Sequence, residues 1–170
     1  MKKYTVLNKD LSQLVSEADG YLTELSSPAY RAQLYHKTGP TADLVTDIPS
    51  LATAFDAENL TASGLAHWSI DTVVRAVDAP CPILIVPLKN TGNCTFNVVE
   101  LKPGALSYKD YSTDHDYYNG LDCNILETIT ITAPVFVNTG TVYAIENSNY
   151  NLAEFIIIAF NEDVSSYFAE

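Results

Sequence analysis

His67, Ser69 and Asp71 are the residues whose types and spacing come nearest to a chemical site. Imidazole nitrogen and carboxylate oxygen are ligands for divalent transition metals, and positions two apart on a strand share one face. A strand over 65–71 therefore sets all three on one side, His67 lying about 6–7 Å from Ser69 along the chain. His115, between Asp114 and Asp116, is a further donor that a loop could bring to the same place. A plainer reading stands beside this one: His67 is a strand-end histidine, and Asp114-His115-Asp116 is a solvated charge cluster.

Other chemistries find less support. Asp110, Asp114, Asp116 and Asp122 alternate as the acids of a calcium loop can, but the glycine and terminal glutamate such a loop needs are not in place. Cys81, Cys94 and Cys123 are odd in number and lack Cys-x-x-Cys spacing, which argues against a disulfide framework or a structural zinc site. Cys94 reads as a small buried hydrophobe, since nothing nearby supplies the base a nucleophile requires. The chain has no Gly-x-Ser-x-Gly elbow, no phosphate-binding glycine loop and no His-Glu-x-x-His.

The elements that must position any site are legible in the hydropathy pattern. Asp10 is placed to cap a helix carrying Leu11, Leu14, Val15, Ala18, Leu22 and Leu25, closed by Ser26-Ser27-Pro28. Ala29 to His36 fits helix and strand equally, Gly39-Pro40 marks a turn, and Ser50 is placed to cap a short helix with Leu51, Ala54 and Phe55. Beyond Leu65, short β-rich runs at 65–71, 83–88, 94–101, 126–132, 135–137, 141–146 and 154–160 are separated by Pro, Gly and Asn. Strands at this spacing without intervening helices predict a sandwich or jelly roll. The expected organisation is one domain over 1–170, with a helical preamble at 1–60 packed on a β-sandwich core at 61–170. One connection, Ser107 to Asn124, is long, polar and rich in Tyr and Asp; it reads either as a binding loop or as a strand extension followed by a solvated excursion.

Charge narrows the partners. The 170 residues hold nine Lys and Arg against 21 acids, and residues 110–170 contain ten of those acids and no Lys or Arg. Such a surface repels phosphate backbones, so no nucleic-acid partner is expected. The longest apolar run, Phe155 to Phe160, falls far short of the ~20 residues of a membrane helix, so no membrane partner is expected either. Tyr4-Thr5-Val6-Leu7 is too short for the central region of a signal peptide, and the thiols suit a reducing compartment; the expected location is the cytoplasm.

The last hundred residues resemble the iron- and 2-oxoglutarate-dependent oxygenases, in particular small versions from marine phages and cyanobacteria. The succession that carries the likeness is Trp68-Ser69-Ile70-Asp71, Ile83 to Asn90, Thr95-Phe96, Pro134-Val135-Phe136-Val137-Asn138-Thr139, Tyr143 to Asn147, and Ile156 to Phe160. The resemblance implies a mainly β double-stranded β-helix, a cupin-like jelly roll, here with one or two N-terminal helices. It also implies two His and one carboxylate around ferrous iron, and a basic residue on the last strands that holds 2-oxoglutarate. In that register the two histidine positions fall on Ser69 and Tyr143, only Asp71 is retained, and Leu152-Ala153-Glu154 stands where the basic residue belongs. No Lys or Arg follows Lys109, so no shift of register restores it.

The resulting expectation is a non-catalytic module with no cofactor and no metal, binding a small ligand or a protein. Ser69, Asp71, Asn138 and Tyr143 would line what remains of the pocket, and His67, Asp71 and His115 are the only candidates for a rewired metal site. The alternatives are an active non-heme iron oxygenase with displaced ligands, and a viral structural or assembly component.

Overall fold

The computed structural model describes residues 1–25, 35–38, 48–55, 62–70, 75–109, 116–148, 153–160 and 164–170. Eight strands build the core: β3 (Ala62–Ile70), β4 (Arg75–Asp78), β5 (Ile83–Lys89), β6 (Cys94–Leu101), β9 (Cys123–Thr130), β10 (Val135–Val137), β11 (Val142–Asn147) and β12 (Ala153–Phe160). They distribute between two antiparallel sheets, with β10-β5-β12-β3 in the first and β4-β11-β6-β9 in the second. The chain passes from one sheet to the other at nearly every step, which is the winding of a jelly roll. β1 (Tyr4–Val6) and β2 (Tyr35–Thr38) extend the first sheet, while β7 (Tyr108–Lys109) and β8 (Asp116–Asn119) extend the second, giving six strands in each.

The first sheet is covered on both faces, which explains its unbroken apolar runs. Leu84, Val86, Phe136, Ile156, Ile158 and Phe160 point outward and meet α1 (Ser12–Leu25) and α2 (Ser50–Ala54) through Leu14, Ala18 and Leu51, together with Leu11 just before α1. Ile83, Ile85, Val135, Val137, Phe155 and Ile157 point the other way, toward the second sheet. The second sheet alternates instead: Phe96, Val98, Tyr143 and Ile145 face inward while Asn97, Val99 and Ala144 face out. The tight β5–β6 connection places Asn90 at φ 56°, a conformation asparagine tolerates better than most residues.

Several expectations are revised. Asp10 does cap α1, accepting from the Ser12 N–H at 3.0 Å. Ser50 does not act as a cap; it opens α2, and Glu17 of α1 supplies the acceptor for both its N–H (3.0 Å) and its hydroxyl (2.6 Å). The connection after Ser107 is neither a plain excursion nor a structureless lid: β7, β8 and a 3-10 turn (Gly120–Asp122) form within it. Tyr117 drives this, because its ring turns inward and is buried against the inter-sheet core. Residues 110–115, His115 among them, lie outside the described residues, as do Asp71 and most of the segment 29–36.

Candidate functional site

The place where a jelly roll of this winding would hold a ligand is the space between its sheets, and described residues pack into that space. Phe96 stacks on Tyr143 with ring centroids 5.4 Å apart and an interplanar angle of 25°. Phe96 also meets Tyr4, tilted at 59° with centroids 5.3 Å apart. Val77, Val98, Tyr117, Ile85, Phe155 and Ile145 complete the packing. Strand register explains the arrangement: Tyr117, Val77, Tyr143 and Val98 form one cross-strand row, so their side chains emerge on the same face at the same level.

At the open side of the sandwich, between the edge strands β1 and β9, the Tyr4 hydroxyl donates to a carboxylate oxygen of Glu127 at 2.5 Å. Partial burial, together with this carboxylate, pushes the Tyr4 phenol up to about 12. Glu127 stands directly opposite Val98, on the row just described, so the pair closes the inter-sheet core where the two sheets part.

The residues expected to line one pocket are distributed as follows. Tyr143 is at the centre of the inter-sheet core, with 1% of its surface exposed. Burial pushes its phenol well above the usual tyrosine range, reinforced by the nearby Tyr117 and Cys81. Asn138 follows β10, where its N–H donates to Lys3 O and its Nδ2 to Lys2 O, so its polar atoms tie down the N-terminal strand. The backbone of Ser69 lies in β3 opposite Glu154, and Glu154 in turn stands opposite Lys89 at the end of β5. Val137, just before Asn138, stands opposite Ile83 at the start of β5. Ser69 and Asn138 therefore sit at opposite ends of the first sheet, about 20 Å apart along the strand direction. His67 lies in β3 between Tyr35 of β2 and Ile156 of β12. Asp71 and His115, the other members of the proposed rewired metal set, fall outside the described residues.

The donor chemistry at Tyr143 does not fit a ferrous iron ligand. Its phenol is embedded in an aromatic and aliphatic stack that holds it protonated, and a neutral phenol is a poor partner for that ion. Among the described residues, no three His, Cys, Asp or Glu side chains come together in a way that could hold a metal ion. The thiols offer no nucleophile: burial raises Cys81, Cys94 and Cys123 above the usual range, leaving them protonated at neutral pH.

Two further residues shape this region, Phe96 and Asn97. The alternation Thr95-Phe96-Asn97-Val98 marks Phe96 and Val98 as inward residues, a signal that was present in the sequence. Asn97, on the opposite face, is 1% exposed; its Oδ1 accepts from the Thr128 hydroxyl at 2.8 Å while its Nδ2 has no partner among the described residues. No sequence signal distinguishes that asparagine from an ordinary surface one.

No protein-family model matches the chain, and no curated protein matches it. Among solved structures, the chain is similar to the Drosophila melanogaster CENP-C cupin domain, at 12% identity over 91% of this chain and 99% of that chain, with a TM-score of 0.30. A likeness this loose carries no functional argument, and the jelly-roll assignment rests on the strand order and registers above. No helix among the described residues is long and apolar enough to cross a membrane.

Proposed function

We propose that this chain is a non-catalytic jelly-roll protein that works by binding a protein partner on its outer surface. The observation that supports this reading most directly is the packed interior, with Phe96 and Tyr143 stacked in the buried cluster between the sheets. A ligand pocket needs volume and a few convergent polar groups, and the inter-sheet side chains named above are apolar and aromatic. The sequence succession shared with the iron- and 2-oxoglutarate-dependent oxygenases adds an origin: a scaffold of that kind whose reactive centre has been replaced by hydrophobic core.

The test is direct. Under anaerobic conditions, iron(II) and 2-oxoglutarate are titrated into the protein by calorimetry, and succinate is measured after air is admitted. No saturable heat and no succinate above a protein-free control are expected. Micromolar binding of iron(II), or succinate formed in proportion to protein, would overturn the reading and restore the displaced-ligand oxygenase.

A further inference from the structure

The edge of the second sheet formed by β9 is the surface best suited to a partner. Among the described residues β9 pairs with β6 alone, and no strand lies on its other side. Most of its eight residues are exposed, including Ile125 (55%) and Leu126 (53%), and Leu121 (80%) stands just before it. Natural edges are usually guarded by lysine, proline or an inward charge. β9 has no lysine or proline, and its one charged residue, Glu127, accepts the Tyr4 hydroxyl. Its only other guard is a bulge, where the register slips between Val98 and Val99 and leaves Leu126 unpaired.

Ladder parity identifies which backbone groups are free to pair. Ile131 N–H donates to Cys94 O and Lys102 N–H donates to Asp122 O, which fixes the hydrogen-bonding pairs on either side of the bulge. Counting inward by twos, Glu127 and Ile129 face β6 on one side and Asn124 faces it on the other. The N–H and C=O groups of Ile125 and Thr128 and the N–H of Thr130 then point away from the sheet, whereas the Cys123 N–H donates to Gly120 O and the Thr130 carbonyl accepts from the Thr132 N–H at 3.1 Å. A new strand would find three anchor residues there, one before the bulge and two after it.

Charge selects the occupant. β9 lies within residues 110–170, which hold ten acids and no Lys or Arg, and the exposed Glu100 and Asp122 stand at its start. The nearby Lys102 ammonium is tied to Leu121 O at 2.7 Å. A second copy of this chain, itself at −12, would meet like charge, as would any nucleic acid. We infer that β9 accepts an extended segment of another protein in which Lys or Arg alternates with apolar residues, added as a further strand of the second sheet. The inference rests on the protein-binding reading above and names the surface and the kind of partner.

The experiment uses the full chain and a synthetic peptide of alternating Val and Lys, with a Val–Glu peptide as its counterpart. Amide hydrogen exchange is followed by NMR at Ile125, Thr128 and Thr130. Saturating Val–Lys peptide is expected to slow exchange at these amides on the order of tenfold, to lose affinity as salt rises, and to leave β2 and β7 unaffected. Ile125→Pro removes an outward N–H without touching the β6 ladder and should abolish the effect. Thr130→Pro does the same on the other side of the bulge, should Ile125→Pro fail to fold. No protection, or equal protection by the Val–Glu peptide, overturns the inference. So does protection that grows with protein concentration alone, which would make a second copy the occupant. None of these outcomes depends on iron or 2-oxoglutarate, so the two proposals fail separately.

Discussion

Truncating Phe96 to alanine measures whether the inter-sheet space is core or cup. The ring meets Tyr4 at 5.3 Å and Tyr143 at 5.4 Å, and its residue is 1% exposed. Removing a buried ring that contacts two other aromatics forfeits its transfer free energy and leaves a cavity that its neighbours only partly fill. Such Phe→Ala changes cost about 3–5 kcal/mol. For a chain of this length each kcal/mol moves the midpoint by about 2–4 °C, so a drop of roughly 6–20 °C is expected. Urea unfolding of the wild type and of Phe96→Ala, with Phe96→Leu as a milder step costing about 1–2 kcal/mol, supplies the free energies. A loss below about 1 kcal/mol for Phe96→Ala, with an unchanged urea slope, would mean that the ring borders open space. The packed-interior argument would then fail, and with it the case against a ligand pocket.

Three further outcomes follow from the same geometry. The Tyr4 phenol is raised to about 12 from a usual 10, so its contribution is complete below pH 10 and is lost as pH rises through 12; stability should fall across that window, and Tyr4→Phe should flatten the fall in denaturation midpoints. Glu17 is held below the usual carboxylate range by the Ser50 hydroxyl and N–H, so its contribution is present above pH 4.5 and disappears as pH drops through the folded value; Glu17→Ala should cost about 1 kcal/mol at pH 7 and little at pH 2, read by thermal unfolding. Asp78 is raised by partial burial and by its neighbour Asp116, so its charge opposes folding at neutral pH; Asp78→Asn should stabilise by up to about 0.5 kcal/mol at pH 7, an advantage that vanishes near pH 3.

Much of the fold is legible in the chain because the long core strands announce themselves. Ile83 to Val86 and Ile156 to Ile158 are β-branched and apolar on consecutive positions, as a sheet buried on both faces demands. β4 is hidden because Arg75-Ala76-Val77-Asp78 offers one bulky apolar side chain in four residues, and the small Ala76 suffices on a face crowded by Ala144 and Val99. β8 is hidden because Asp116-Tyr117-Tyr118-Asn119 looks like its polar surroundings, although Tyr117 alone anchors it. The site was harder to read for a different reason. Alternation tells which face of a strand a residue occupies, but not which end of the sheet, and that second coordinate separates Ser69 from Asn138. Tyr143 belongs to the buried core because of its stack on Phe96, nearly fifty positions earlier in the chain, a contact that local pattern does not reveal.

The position of β12 bears on how the molecule comes into being. This strand, synthesised after both of its neighbours, lies in the middle of the first sheet, hydrogen-bonded to β5 on one side and β3 on the other. Until residues 153–160 are synthesised, those two strands have a gap between them, and the apolar faces of Leu84, Val86 and Ile85 lack their partners. Nascent chains stalled short of that point should be sticky and protease-sensitive, and the first sheet should consolidate in one step once β12 is available rather than strand by strand.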